Sequence, residues 1–154
     1  MKDKPKLRLR IAQFLIFVVL LINIFCAVDF IVRPDLYKGG YELSGEVGRV
    51  VVIGYGILFL MWQVPYFFAL AQPVVHRMSL IQAILMQMIG LIGESFLLQS
   101  IPLEHEILRG SIMRFIIFDA GGLLLLILAF LVIRKDRLVK KLTGKMENEA
   151  TSPK

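Results

Sequence analysis

Four long apolar runs constrain this chain of 154 residues more than any other feature of its sequence. A helix needs about 20 residues to cross roughly 30 Å of hydrocarbon, and every run reaches that length. Together the runs consume most of the chain, so no self-sufficient soluble core fits in the remainder. We predict an all-α, polytopic membrane protein, a four-transmembrane-helix antiparallel bundle within one domain at residues 11–133. The predicted spans are residues 11–32, 47–71, 78–101 and 112–133.

Composition supports the same class of protein. Hydrophobic residues make up 57% of the chain and charged residues 19%, whereas an ordinary soluble domain has roughly 25% charged residues. The net charge of +6 is concentrated beside the spans, which favours the lipid bilayer and its anionic lipids as partners and argues against nucleic acid. The lone Cys26 cannot build a cysteine metal cluster, and we expect neither a metal nor a cofactor.

The distribution of Lys and Arg predicts the topology. Five basic residues precede the first span, one lies between spans two and three, and six lie within residues 134–145, whereas the other side has five. Because cytoplasmic segments retain positive charge, we expect an N-in/C-in protein of the cell membrane. Residues 1–10 and 134–154 are then basic cytoplasmic tails, the second ending in disorder. The first run exceeds the 7–15 apolar residues of a signal peptide, so we expect it to be retained.

The connections between the spans differ in length. The connections around residues 72–77 and 102–111 are short, which makes spans two and three, and spans three and four, antiparallel neighbours. The first outer connection, residues 33–46, is the longest, and its turn-forming residues predict irregular structure, either a lid or a solvated linker. In the second span, Pro65 predicts a kink or the end of a straight segment near Val64, because proline removes a helical hydrogen bond. Trp62 and Tyr66 nearby suit an aromatic belt at the membrane surface.

Five ionisable residues lie inside the apolar runs or at their ends. A charge in hydrocarbon costs roughly 2.5 kcal/mol or more, so such residues usually face a partner or a cavity. At about 1.5 Å per residue, Glu94 lies about 10 Å along the axis from the outer end of its span, and all five fall in the outer half of the bundle. The five are Asp29, Arg49, Glu94, Arg114 and Asp119.

Helical phase extends this set to two glutamines. Residues seven apart nearly overlay at 100° per residue, which puts Gln87 on the face of Glu94 and Gln63 on the face of Arg49. At the same rotation per residue, Arg114 lies about 140° away from Asp119 around the helix axis. The candidate ligand- or proton-binding residues are therefore Glu94, Asp119, Arg114, Arg49, Asp29, Gln87 and Gln63.

Three interpretations of these residues stay open. In the first, Arg49 or Arg114 neutralises Glu94 and Asp119 and the ion pairs fix the register of the helices. In the second, the residues line an outward-facing polar pocket, with Glu94 as a proton or cation site. In the third, they contact another subunit, in a homo-oligomer or a larger membrane complex.

The leading functional hypothesis is a non-enzymatic accessory subunit or a small-ligand-binding membrane module. The alternative is a small oligomeric proton- or cation-coupled transporter that uses Glu94. A membrane enzyme ranks third, because the sequence contains no phosphate-binding loop, no nucleophile with a plausible base and no zinc signature. The triplet at residues 104–106 has metal-ligand chemistry, although a solvated loop explains it more simply.

The plan of four apolar spans in a short chain resembles that of small four-helix bacterial membrane families, including DoxX-like proteins and small multidrug exporters. The resemblance is one of architecture and implies a compact helical bundle. Small multidrug exporters have their membrane-embedded Glu in the first span, whereas Glu94 lies in the third span of this chain, so no residue role carries over.

Overall fold

A computed structural model describes the backbone of residues 4–151 and the side chains of residues 6–134. All regular secondary structure in this part of the chain is helical, as the sequence predicts. One short 3-10 helix, Gly39–Tyr41, separates α2 from α3. The α-helices are α1 (Lys4–Val32), α2 (Pro34–Lys38), α3 (Gly45–Trp62), α4 (Val64–Ala71), α5 (Arg77–Ser100) and α6 (Glu106–Thr151).

Four helical stretches are long and apolar enough to cross a membrane, which confirms that part of the prediction. They are Lys6–Val32, Gly45–Ala71, Arg77–Ser100 and Glu106–Arg134. The fourth begins six residues before the predicted start at residue 112. The helix α6 continues to Thr151, while the side chains of the basic segment beyond residue 134 lie outside the described residues. The predicted basic tails and the disordered end therefore stay predictions.

The second stretch is broken where Pro65 predicts it. Helix α3 ends at Trp62 and α4 begins at Val64, with Gln63 between them. The Gln63 N–H donates to the carbonyl of Leu60 at 3.0 Å, a tighter turn than the α-helix makes. Because Pro65 has no N–H to continue the ladder, the two helices take separate paths.

Those separate paths divide the bundle into two halves. Helix α1 contacts α3, α4 and α6, while α5 contacts α4 and α6; α3 and α5 make no extensive contact. In the half that contains α4 and the first part of α1, the closed half, the helices pack tightly around side chains such as Ile16, Leu80 and Leu126, all 0% exposed. In the other half, the open half, the missing contact between α3 and α5 leaves a gap.

The connection between α1 and α3 is ordered, and the prediction of irregular structure is wrong. Pro34 occupies the first turn of α2, where its missing N–H costs nothing, and the 3-10 helix follows directly. The 3-10 helix packs on α6. At its end Glu42 adopts a left-handed conformation with φ 55° and accepts hydrogen bonds from His105 Nδ1 at 2.5 Å and the Leu108 N–H at 3.3 Å.

A second side chain fixes the connection between α5 and α6. Arg109 Nη1 donates to the carbonyl oxygens of Leu98 at 2.9 Å and Ile101 at 2.5 Å. These carbonyls are left without helical partners where α5 ends, so the guanidinium stabilises that end and complements its negative dipole. The two connections thus form a joined cover over the open half.

Candidate functional site

A cavity of about 270 Å³ lies in the open half and is lined by residues of all four spans. We call it the central cavity. Its polar residues come from α1, the α3–α4 break, α5 and α6, and its remaining walls are mostly aromatic and aliphatic. The structure thus places four of the seven candidate site residues around one space. The polar residues that matter most are Asn23, Gln63, Gln87, Glu94 and Asp119.

A chain of hydrogen bonds fixes one side of the central cavity. Tyr66 Oη donates to Gln87 Oε1 at 2.6 Å, and Gln87 Nε2 donates to Asp119 Oδ1 at 2.7 Å. Tyr66 and Gln87 are only 2% and 5% exposed. The chain joins α4, α5 and α6 and holds the Asp119 carboxylate in one orientation.

Two glycines make room for this chain. A Cβ added at Gly90 would lie 2.2 Å from Asp119 Oδ2, and one at Gly122 would lie 2.8 Å from Gln87 Nε2. Each glycine therefore lets a polar side chain of the neighbouring helix approach the backbone. Close approach at small residues is how helices pack in lipid, where no hydrophobic force draws them together.

A second pair of amides lies at the helix break. Asn23 Nδ2 donates to Gln63 Oε1 at 3.1 Å, and Gln63 Nε2 donates to the carbonyl of Phe59 at 2.8 Å, which satisfies the last turn of α3. Asn23 is 8% exposed, yet its Oδ1 has no hydrogen-bond partner. A buried acceptor without a partner costs roughly 1–3 kcal/mol.

Among the described side chains, Glu94 presents a second buried acceptor without a partner, its Oε2. No Lys or Arg within residues 6–134 forms an ion pair with Glu94 or Asp119. The arginines that were candidate partners are engaged elsewhere. Two carboxyl groups thus share the central cavity without a basic residue to neutralise them.

Arg114 lines a separate cavity of about 290 Å³ beneath the two connections, which we call the loop-side cavity. Its Nη2 donates to Ser111 Oγ at 2.9 Å. The side chains of Cys26, Phe115 and Phe118 line both cavities and form the wall between them. The 140° offset found from helical phase agrees with this placement of Arg114 away from Asp119.

Asp29 and Arg49 lie outside the central cavity. Asp29 accepts a hydrogen bond from the Tyr37 hydroxyl and pairs with Arg33. Arg49 is 46% exposed at its side chain and pairs with Glu46 at 3.2 Å and, more weakly, with Asp35 at 3.9 Å. Both residues stabilise the connection between α1 and α3, and neither pairs with Glu94 or Asp119.

Two site residues came from outside the predicted set. Asn23 was not among the candidate residues, and Tyr66 was assigned to an aromatic belt. That assignment is wrong, since the break before Pro65 turns Tyr66 into the bundle. The one signal that could have found it is the position of Tyr66 directly after the proline.

Aromatic side chains form much of the remaining wall. Phe59, Phe115 and Phe118 line the interior, while Trp62 of α3 and Ile89 of α5 lie at the gap between these helices. Trp62 is 43% and Ile89 64% exposed. The central cavity therefore opens sideways, through the surface that would face lipid.

The connections carry the only histidine in the open half. The hydrogen bond to Glu42 raises the pKa of His105, and the same contact lowers the pKa of Glu42. His105 thus pairs with the opposite connection, and no group of three or more potential metal ligands occurs among the residues that are described.

Comparisons with protein families, curated protein sequences and solved structures found no match to this chain. The candidate site therefore rests on the geometry of the chain itself.

Proposed function

We propose that this chain is a multi-pass protein of the cell membrane, with both termini cytoplasmic, that acts as a non-enzymatic small-ligand-binding module. The observation that carries the proposal is the central cavity, in which Glu94 and Asp119 lie without a basic counter-ion. A volume of about 270 Å³ is near the lower end of the roughly 300–1,000 Å³ typical of ligand pockets. Unpaired acceptors in an otherwise apolar space provide both orientation and specificity.

The surface of the bundle supports insertion into a membrane. Large apolar side chains project outwards from all four spans, among them Phe25 (68% exposed), Phe96 (68%) and Ile117 (65%). A soluble monomer rarely exposes an apolar surface of this extent. With positive charge retained in the cytoplasm, the open half lies on the outer side and the closed half on the inner side.

The closed half favours binding over transport. Its tightly packed core lies between the central cavity and the cytoplasmic side, so a ligand enters the cavity through the lateral opening between α3 and α5 and has no path to the cytoplasm. The alternative, a proton- or cation-coupled transporter, is favoured by the buried and unpaired Glu94 Oε2. Such a transporter requires a second conformation in which the closed half opens. The accessory-subunit hypothesis is compatible with the same cavity, and co-purification from native membranes tests it.

A cavity-filling substitution tests the binding function. Gly93 lines the cavity, and a Cβ at this position meets no atom within 4 Å, so Gly93→Leu places a side chain in the space without a backbone clash. Gly121→Leu is the matched control, because its Cβ is equally free and Gly121 does not line the cavity. Small-molecule binding to the purified protein in nanodiscs is measured for both variants. We expect Gly93→Leu to abolish binding and Gly121→Leu to retain it; equal binding would refute the cavity as the site.

Transport is tested separately with proteoliposomes. Proton or cation flux that is lost in Glu94→Gln but retained in Glu46→Gln would favour the transporter alternative. Binding without any flux supports the module.

A further inference from the structure

We propose that the ligand of the central cavity is a small lipophilic amine, bound as its ammonium ion between Glu94, Asp119 and Asn23. This inference rests on the binding function proposed above and names the chemical class of its ligand. Four properties of the cavity lead to it: charge, unpaired acceptors, wall chemistry and the position of the opening.

The charge of the cavity selects a cation. Glu94 and Asp119 both line it, and neither forms an ion pair with a described basic residue. In a space of low dielectric, an ionised carboxylate attracts a positive ligand far more strongly than it would in water, and the ligand also offsets the repulsion between two such carboxylates. Arg114 lines the loop-side cavity instead, where it donates to Ser111 Oγ.

The unpaired acceptors select a cation with several N–H donors. Asn23 Oδ1 and Glu94 Oε2 have no hydrogen-bond partner, although Asn23 is more than nine-tenths buried. Asp119 is already oriented by Gln87, which occupies its Oδ1. Asn23 Oδ1 and Glu94 Oε2 are both closed to solvent, so a ligand reaches them after a small shift of the two side chains. A primary ammonium has three donors and no acceptor, so it can then satisfy acceptors from α1, α5 and α6 together. A quaternary ammonium has no N–H and would leave both acceptors unpaired.

The walls favour an organic cation over a bare metal cation. Hard cations take six to eight oxygen ligands, whereas this cavity is bounded largely by Phe59, Trp62, Phe115 and Phe118. Aromatic faces attract organic cations through their quadrupoles and at the same time pack against an apolar body. A ligand with one ammonium group and one small apolar group matches both parts of the cavity.

The opening gives the ligand a route from the membrane. It lies between α3 and α5, where Trp62 and Ile89 are exposed on the apolar surface of the bundle. A lipophilic amine partitions into the interfacial region of a bilayer, and from there it can enter sideways. The same chemistry occurs in the ethanolamine headgroup of a lipid, so the experiment must separate the two sources.

Trp62 makes the test specific, because it is the single tryptophan of the chain and lines the cavity. The full-length protein in phosphatidylcholine nanodiscs is titrated with 2-phenylethylammonium while Trp62 fluorescence is recorded. The uncharged analogue 2-phenylethanol and the anion phenylacetate serve as matched probes. We expect a saturable change with the ammonium, binding of the alcohol at least about tenfold weaker, and no binding of the anion, since a charge-assisted hydrogen bond contributes about one order of magnitude or more.

Variants connect the affinity to the carboxyl groups. Glu94→Gln and Asp119→Asn keep the shape of each side chain and are each expected to weaken ammonium binding at least about tenfold. Glu46→Gln is the control, because Glu46 is exposed and pairs with Arg49 outside the cavity. Thermal unfolding of each variant establishes that it is folded, and Glu94→Gln alone suffices if Asp119→Asn fails that test. Replacing phosphatidylcholine with phosphatidylethanolamine identifies the source: weaker apparent affinity for the probe assigns the site to the lipid headgroup, and unchanged affinity assigns it to a free amine.

Two results would overturn the inference. An absence of any saturable change with the ammonium refutes the amine, as does equal affinity for ammonium and alcohol together with no effect of Glu94→Gln. In the second case, loss of alcohol binding in Gly93→Leu would leave the proposed binding function intact. If Gly93→Leu also binds the alcohol normally, the central cavity is not the site and the proposed function fails with it.

Discussion

Gln87 on α5 donates its side-chain amide to the Asp119 carboxylate on α6 across 2.7 Å, while its carbonyl oxygen accepts the hydroxyl of Tyr66 at 2.6 Å. One amide therefore links three helices at the level of the central cavity. The amide thus satisfies Asp119 Oδ1 from α5, whereas Glu94, two turns further along the same helix, has no partner for its Oε2. The site is thus defined by two different carboxyl groups: Asp119, which a hydrogen bond holds in place, and Glu94, which has an unpaired oxygen.

Replacing Gln87 with Leu should destabilise the bundle. The substitution leaves Asp119 Oδ1 without a partner, at a cost of about 1–3 kcal/mol, while the Tyr66 hydroxyl keeps only its longer hydrogen bond to the Ala83 carbonyl at 3.3 Å. Thermal unfolding in detergent measures the loss. Gln82→Leu on the same helix is the control, because Gln82 is exposed. Equal stability of the two variants would show that the hydrogen-bond chain contributes little.

Gly90→Ala and Gly93→Ala should differ in sign. The new Cβ at residue 90 would clash with Asp119 Oδ2 and displace a carboxyl group that Gln87 holds in place. At about 1–3 kcal/mol for overpacking, this outweighs the gain in helix propensity. At residue 93 nothing lies within 4 Å, so alanine should stabilise by up to about 1 kcal/mol. Unfolding midpoints of the two variants against the wild type test this. A stabilising Gly90→Ala would mean that Asp119 is not held against α5.

The contact between Glu42 and His105 should depend on pH. The carboxylate raises the pKa of His105 above its ordinary value of 6.5. The stabilisation that the protonated imidazole provides is therefore complete below pH 6.5 and is lost as the pH rises through the raised pKa. The imidazole lowers the pKa of Glu42 below 4.5. The stabilisation that the ionised carboxylate provides is therefore present above pH 4.5 and is lost as the pH falls through the lowered pKa. The two connections should therefore be joined most firmly between the two values.

Amide hydrogen exchange in residues 39–44, followed across this range, measures the effect. With each rate divided by the intrinsic exchange rate at that pH, we expect the greatest protection at mildly acidic pH and less protection on either side, with this dependence removed in His105→Gln. Both side chains are exposed to solvent, so the change should be small. A pH profile in His105→Gln that matches the wild type would rule out this contact as its cause.

Single cysteines should report the topology. In a Cys26→Ser background, Leu103→Cys lies in the connection between α5 and α6, with its native side chain 77% exposed, and Gln72→Cys lies at the other end of α5. A membrane-impermeant maleimide should label residue 103 in intact cells and residue 72 only after permeabilisation. The opposite pattern would invert the bundle, and the open half would then face the cytoplasm.

Much of this arrangement follows from the sequence. The length and polarity of the apolar runs predict four helical spans, Pro65 predicts the break in the second, and helical phase puts Gln87 and Glu94 on one face of α5. The same helical phase also predicts that Arg114 and Asp119 lie on different faces of α6. Each of these properties depends on a single helix, so it can be predicted from the sequence and the helical rotation of 100° per residue.

Contacts between helices were decided only by the tertiary structure. Whether an arginine of α3 reaches Glu94 depends on the direction of α3 relative to α5. That direction is set by the packing of α3 against α1. Packing between helices also turns Tyr66 inwards. It likewise decides that Gly90 and Gly122 leave space for Asp119 and Gln87. Hydrophobic periodicity fixes which face of a helix is buried; the depth and angle at which two such faces meet arise from the close packing of all four spans.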